Sequence, residues 1–375
     1  MKKITRKPTL AILILLSAFL SSAIAADHNP DTGKAEENDG PYVFVINNQR
    51  IVSSLINGEV ETRRYAAKAR IRLHVPGVSG LTVSLPPSTP GFRRGQVFQT
   101  EEKIFALSDV HGQFLRLREI LVGNRIMNNR YQWTFGKGHL VVVGDIFDRG
   151  PMVTECLWLM IHLQTLAHRA GGRVHVLLGN HEMMALRGDL RYVNKRYQKI
   201  ARKLYRIPYP DLFGPDTYLG RWLRVRPAVI RINDILFVHA GIHPELVKLA
   251  FSIKRINRTV HRHLDSSGVV HAFHPRVKAV FDRNGVFWSR GYFGIEGYDP
   301  VDTRGLSRVL SFYGASRVVV GHTRFDNIST HMDGRVIGTA VNTEDDQPAE
   351  GLLIHRGRFF RADHTGNQEE IIFSK

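Results

Sequence analysis

Six residues of types that bind hard metal ions stand in the sequence: Asp109, His111, Asp145, Asn180, His239 and His322. They fall in five short segments: Ser108-Asp109-Val110-His111-Gly112, Gly144-Asp145-Ile146-Phe147-Asp148-Arg149-Gly150, Gly179-Asn180-His181-Glu182, Phe237-Val238-His239-Ala240-Gly241 and Gly321-His322-Thr323. Each segment follows an apolar run that reads as a buried strand. Carboxylate, amide and imidazole ligands meeting at one sheet edge suit a two-metal centre that hydrolyses phosphate esters. Two cations there can polarise the phosphoryl oxygens and hold the attacking hydroxide. A carboxylate has two oxygens, so Asp145, placed after a glycine that permits close backbone approach, can bridge them. Arg149 offers a planar fork of donors matched to phosphate oxygens, although alone the Asp148–Arg149 pair would read as a structural ion pair. His181 can protonate a leaving group if a carboxylate orients its ring, and Asp148 is the expected partner. A single histidine at a strand end is more often a core residue than a ligand; the joint occurrence of all five segments carries the reading.

The elements that must position these residues are legible from Lys103 onward. Short apolar runs at Ile104–Leu107, Leu140–Val143, Val174–Leu178, Ile235–Val238 and Val318–Val320 alternate with helical patterns at Phe114–Leu121 and Val153–His168. The second helix places Val153, Cys156, Leu157, Met160 and Leu163 near one face. Such alternation predicts a sheet covered by helices, with the site in loops beyond the strand C-termini. Every ligand sits at such a point except Asn180, two residues past its run. Residues 190–224 interrupt the pattern with a basic helical stretch, Tyr192 to Arg206, and a Pro/Asp/Gly-rich loop, Pro208 to Gly220. This insertion reads either as a cap near the cleft or as a solvated surface helix. His261, His263, His271 and His274 have no ligand spacing and read as surface histidines.

Residues 41–100 are β-rich, with an Asn57-Gly58 hairpin signal and a loop at Pro86–Gly91, and read as an accessory sheet or as strands flanking the core. Residues 26–40 read as a disordered lead. Lys2, Lys3, Arg6 and Lys7, the apolar Leu10 to Leu20 stretch and Ala23-Ile24-Ala25 form the pattern of a secretory signal cut after about Ala25. That pattern predicts a periplasmic or secreted bacterial protein, and no later segment is apolar enough to span a membrane. No cysteine near the cleavage point is available for lipid attachment. The only cysteine, Cys156, excludes an intrachain disulfide and reads as a small buried residue. The formal charge is +18, of which about +14 remains without residues 1–25. This favours anionic partners: phosphorylated substrates or anionic envelope components. No zinc-finger spacing or aromatic-basic signature points to nucleic acid.

At the five segments the sequence resembles the calcineurin-like metallophosphoesterases, and within them the phosphoprotein phosphatase group. Leu212-Phe213-Gly214-Pro215-Asp216-Thr217, Gly220-Arg221-Trp222-Leu223-Arg224 and Phe287-Trp288-Ser289-Arg290-Gly291-Tyr292 resemble the bacterial Shewanella-like phosphatase branch. The resemblance spans about Lys103 to Gly338 and leaves out residues 26–100. It implies an α/β fold, a four-layer α-β-β-α sandwich, here with a β-rich N-terminal extension. It implies that Asp109, His111 and Asp145 hold one metal, and that Asp145, Asn180, His239 and His322 hold the other. By the same resemblance His181 with Asp148 is the proton-donating pair, and Arg149 and Arg290 bind phosphate. Nitrogen and oxygen donors without thiolate admit Mn, Fe, Zn or Co. The chain departs from many relatives after His322, reading Ile337-Gly338-Thr339-Ala340-Val341-Asn342 where they carry an acidic strand.

The expectation is a secreted metal-dependent protein phosphatase acting on phosphoserine, phosphothreonine or phosphotyrosine in proteins or peptides, and on small phosphoesters. A nucleotide or dinucleoside polyphosphate hydrolase is the alternative within the same chemistry. The Trp288-Ser289-Arg290 segment and the insertion around Gly220 to Arg224 argue against it. A non-catalytic polyanion-binding protein is the alternative outside it, opposed by the complete set of ligands.

Overall fold

The computed structural model describes residues 37–86, 96–266, 274–341 and 349–373. The secretory signal, most of the disordered lead, nearly all of the Pro86–Gly91 loop, His271 and Asn342 lie outside the described residues.

Two six-stranded mixed sheets form the centre. In one, β7 (Ile104–Leu107), β8 (His139–Val142) and β9 (Arg173–Val176) run parallel, and β15 (Glu350–His355), β16 (Arg358–Asp363) and β17 (Gln368–Glu370) extend it antiparallel. In the other, the order is β13 (Ser329–His331), β14 (Val336–Gly338), β12 (Arg317–Val320), β11 (Ile235–Val238), β10 (Val229–Ile232) and β6 (Val97–Phe98). Alternate side chains take opposite roles, as a period of two requires. Ile104, Ala106, Val141, Ile230, Phe237, Val319 and Ile337 join one apolar cluster drawn from both sheets, which places it between them. Phe105, Leu107, Leu140, Val142, Leu236 and Val320 belong to a second cluster with the helices outside. The result is the expected four-layer α-β-β-α arrangement.

Residues 39–85 add β1 (Asp39–Ile46), β2 (Gln49–Ile56) and β3 (Glu59–Ala66) as an antiparallel sheet, and β4 (Ile71–His74) with β5 (Thr82–Leu85) as a hairpin. Asn57 and Gly58, both at positive φ, make the two-residue turn between β2 and β3. These strands share the helix-side cluster: Tyr42, Val43, Leu73 and Val83 pack with residues of the helix Val153–Arg169. That helix is therefore buried on more than the one face its periodicity indicates. Trp158, Leu159 and Ile161 are buried with the expected Cys156, Leu157 and Met160, and Trp158 donates through Nε1 to the Pro41 carbonyl at 2.9 Å.

The insertion differs from its expected bounds. The helix begins at Lys195, not Tyr192, because the Asn194 side chain accepts from Arg196 N and caps it there. A π-helical turn, Ala201–Tyr205, continues it, and the expected Pro208–Gly220 loop holds a 3-10 turn, Tyr209–Phe213, and the start of the helix Tyr218–Leu223.

A buried polar cluster joins the insertion, the N-terminal sheet and the long helix. The Arg196 guanidinium donates to the Pro151 and Asn38 carbonyls and lies 4.0 Å from Asp39 Oδ1 and 3.9 Å from Glu155 Oε1. Asp39 Oδ1 and Glu155 Oε2 accept no hydrogen bond among the described residues. Burial, then the Asp39 charge, push the Glu155 carboxyl up to about 8. Glu155 thus holds a proton more tightly when folded, so its contribution to stability is complete below its ordinary value near 4.5 and is lost as pH rises through about 8. We expect the unfolding midpoint to fall between pH 5 and pH 8.5. Glu155→Gln, uncharged and of the same shape, will flatten that slope, as measured by thermal melts across the range.

Candidate metal centre

The predicted ligand residues follow the C-terminal ends of the parallel strands of both sheets, as expected. Asp109 and His111 follow β7, Asp145 follows β8, Asn180 opens the helix after β9, His239 follows β11 and His322 follows β12. Asp109, His111, Asp145 and His322 all have φ between +46° and +63°. Non-glycine residues adopt this region at a cost, and such costs collect at functional sites. Here the left-handed turn swings each side chain away from its strand toward a common centre.

Asp145 occupies that centre. Its Oδ2 lies 3.1 Å from His239 Nε2, 3.9 Å from His181 Nε2 and 4.0 Å from His111 Nε2. His111 Nε2 is also 3.8 Å from Asp109 Oδ1. Asn180 Oδ1 stands 2.9 Å from both His239 Nε2 and His322 Nδ1. The Asn180 amide nitrogen points the other way, toward Met184 Sδ, which leaves the oxygen for the site. All six predicted ligand residues are buried. Two sets of mutually adjacent donor atoms emerge: His111, Asp145 and His181, and Asp145, His239 and His322.

The donors are prepared for cations. His111 Nδ1 is 2.8 Å from the Phe147 carbonyl and His239 Nδ1 2.8 Å from the Val143 carbonyl, so each donates there and turns the Nε2 lone pair inward. Burial lowers His111 and His322, which keeps both rings neutral and able to ligate. Burial opposes a charge on His239 too, but Asp145 outweighs it and raises the ring to about 9. A site that draws a proton to that edge favours positive charge there. His322 Nε2 is buried without a hydrogen-bond partner among the described residues. Nitrogen and carboxylate donors of this kind fit divalent ions of the first transition row.

The remaining predicted residues surround this centre. His181 Nδ1 is 2.6 Å from Asp148 Oδ2, while its Nε2 faces Asp145. Burial disfavours a charged His181, but the Asp145 and Asp148 carboxylates raise its pKa above the ordinary value. Arg149 is exposed, at φ +63°. Arg290 is half-buried and donates through Nη1 to Thr323 Oγ1 at 3.1 Å, beside His322. In the stretch that departs from the relatives, Thr339 donates to the Val320 carbonyl at 2.8 Å and lies 3.2 Å from Ser108 Oγ, so it braces two ligand loops. His261 and His274 are exposed and His263 is half-buried, and none of them belongs to a group of donors that could hold a metal ion among the described residues.

Sequence reasoning gave no role to Glu182, yet it holds the site together. Its Oε1 accepts from Ile146 N at 2.6 Å and Phe147 N at 3.1 Å, and its Oε2 from Gly179 N at 2.6 Å and Asp145 N at 3.0 Å. In return Asp145 Oδ1 accepts from His181 N at 3.0 Å. Burial, then Asp145, push the Glu182 carboxyl up to about 7. Four N–H donors nonetheless need all its acceptor sites, so the ionised form is the one the geometry accommodates. Gly179 is required where the loops meet, since a Cβ there would lie 2.1 Å from Asp145 Oδ1. A glutamate three residues after the glycine that precedes the helix is the sequence signal, a capping-box spacing.

The family profile described as calcineurin-like phosphoesterase matches residues 102–324. The chain is 29% identical to Shewanella-like protein phosphatase 1 of Plasmodium berghei over 59% of its length and 61% of that protein. It is 27% identical to Shewanella-like protein phosphatase 2 of Arabidopsis thaliana over 66% of its length and 72% of that protein. The crystal structure of a cold-active protein-tyrosine phosphatase of a psychrophilic Shewanella species superposes with a TM-score of 0.80 at 33% identity, covering 90% of this chain and 100% of that one. The profile match over more than half the chain, the shared fold and the converging ligands agree: the chain belongs to the calcineurin-like phosphoesterase family.

Proposed function

We propose that the chain is a metal-dependent protein phosphatase that hydrolyses phosphorylated side chains and works outside the cytoplasm. The observation that carries the chemistry is the convergence of four histidines and an amide oxygen around Asp145, with His181 paired to Asp148 on one side. The relatives named as protein phosphatases support the substrate class, and the N-terminal signal pattern supports the location. No helix among the described residues is long and apolar enough to cross a membrane.

Asp109, His111 and Asp145 would hold one ion, and Asp145, Asn180, His239 and His322 the other. Ions held there would supply Lewis acidity, polarising the phosphoryl oxygens and making an attacking water more acidic. Arg149 and Arg290 take the phosphate oxygens from the two sides of the cleft. Charge-assisted bonds of this kind stabilise the negative charge that spreads over those oxygens in the transition state. His181, held charged by Asp148, passes its Nε2 proton to the departing oxygen. Asp148 also fixes the ring, so the proton sits on the nitrogen that faces the site.

Three outcomes follow from this assignment. Purified protein will contain about two metal ions per chain and lose p-nitrophenyl phosphate hydrolysis on chelation, with recovery on adding Mn or Fe. Retained turnover in metal-free protein would remove the metal-dependent reading. His181→Asn will keep its metals and lose roughly 10²–10⁴-fold in kcat on a phosphoserine peptide. The loss will be smaller on p-nitrophenyl phosphate, whose leaving group needs little protonation; equal losses would rule out the proton-donor role. Glu182→Gln, which replaces two acceptor sites with donors facing backbone N–H groups, will weaken metal binding roughly 10–100-fold in titrations followed by bound-metal analysis.

A further inference from the structure

We propose that the Tyr192 ring is the surface against which the leaving group packs, and that it makes the site select aryl phosphates over alkyl phosphates. This inference rests on the proposed phosphatase reading and names the part of the substrate that lies next to His181.

Tyr192 stands in the segment between the helix Asn180–Leu186 and the helix starting at Lys195. It remains 47% exposed, although Tyr42, Tyr197, Tyr209 and Tyr218 are buried. Its ring lies 5.2 Å from the His181 ring, at 55° to it. The Arg149 guanidinium lies 5.8 Å from the same ring centre and that of Arg191 5.7 Å. Among the described residues it is the one aromatic side chain that contacts both the proposed proton donor and the proposed phosphate arginine. A proton donor in ester hydrolysis sits beside the departing oxygen. The rest of the leaving group must therefore lie next to His181, and Tyr192 is a half-exposed ring packed against it.

The ring is held in place. The Tyr192 carbonyl accepts from Arg149 N at 2.8 Å, and Asn194 Nδ2 donates to the Arg149 carbonyl at 2.9 Å. Both ends of the Arg149 peptide are thus fixed by the segment that carries Tyr192. Arg191 is in turn locked to Asp189 by bonds of 2.9 and 2.8 Å. Arg149 and the Tyr192 ring are therefore carried by one tethered unit. A phenyl leaving group beside His181 can meet the ring edge-on or offset, a geometry favoured between aromatic rings. The single methylene of a phosphoserine offers almost no surface to it. Water adds to phosphorus, the P–O bond to the phenol breaks, the phenolate oxygen takes the His181 proton, and a proton from the added water returns to His181 as the phosphate leaves. The ring only positions the leaving group.

The test compares wild type, Tyr192→Ala and Tyr192→Phe, each loaded with Mn and checked for metal content. Substrates are a phosphotyrosine peptide, the same peptide with phosphoserine, and p-nitrophenyl phosphate. Tyr192→Ala is expected to lower the ratio of phosphotyrosine to phosphoserine kcat/KM about fivefold to tenfold, mainly through KM, with Tyr192→Phe restoring it. A matching loss on p-nitrophenyl phosphate identifies the aryl group itself as the partner. A loss confined to the peptide identifies a phosphotyrosine held in its chain. Equal losses on both peptides would overturn the inference and leave Tyr192 as a support for Arg149, and an unchanged ratio would overturn it as well. A wild type that binds metal but hydrolyses none of the three would remove the phosphatase reading, and this inference with it.

Discussion

Four backbone N–H groups pointing at one buried carboxylate are the constraint on which the site depends. Glu182 takes two from the loop after β8, one from Asp145 itself in the same loop and one from Gly179. Remove the carboxylate and four buried donors lose their partners, each at a cost of about 1–3 kcal/mol. Only a carboxylate offers as many acceptor sites without adding a donor, and Glu182 has the length to reach all four. The same contact explains the turn at Asp145. A left-handed residue at that point is tolerable because the N–H groups that follow it are already claimed.

Charge is the second consequence. Asp109, Asp145, Asp148 and Glu182 are all buried. The partial compensation is visible in the histidines: Asp145 raises both His181 and His239 against the effect of burial. Protons alone satisfy this arrangement poorly, because His111 and His322 stay neutral. Metal ions bring more charge to the same lone pairs. The coupling between metal and fold follows, since the loops that carry the ligands are the loops that Glu182 ties together.

Local signals account for what could be read from the sequence. Apolar runs fixed β7, β11 and β12 nearly to the residue, and a ligand-type side chain just past each run located the centre. The capping of the helix at Lys195 by Asn194 could also have been read locally, but the basic run from Tyr192 masks it. What sequence reasoning missed depends on contacts between distant segments. Periodicity describes one apolar face of the helix Val153–Arg169, and the second becomes buried only because β1 and β5 cover it. Glu182 shows a capping-box spacing, but its other partners are thirty-five residues and more upstream. Tyr192 looks like any surface tyrosine until the chain places it beside His181.

The N-terminal strands bear on the site through these same distant contacts. Tyr42 donates to Asp39 at 2.8 Å, and Asp39 faces the Arg196 guanidinium that donates to the Pro151 carbonyl. Tyr197, one residue on, donates to Pro151 O at 2.8 Å and accepts from Val153 N at 2.7 Å. Pro151 follows the Asp148-Arg149-Gly150 turn, so the sheet and the insertion press from behind on the loop that presents Arg149, the proposed phosphate arginine. Arg149 and Asp148 both stand in the left-handed region, where an unsupported loop would relax. Strain at a binding loop persists only if the surroundings over-determine it, and here the supports come from three separate stretches of chain. The catalytic segments supply the ligands, but the orientation of the arginine is set in part by residues that contain none of them.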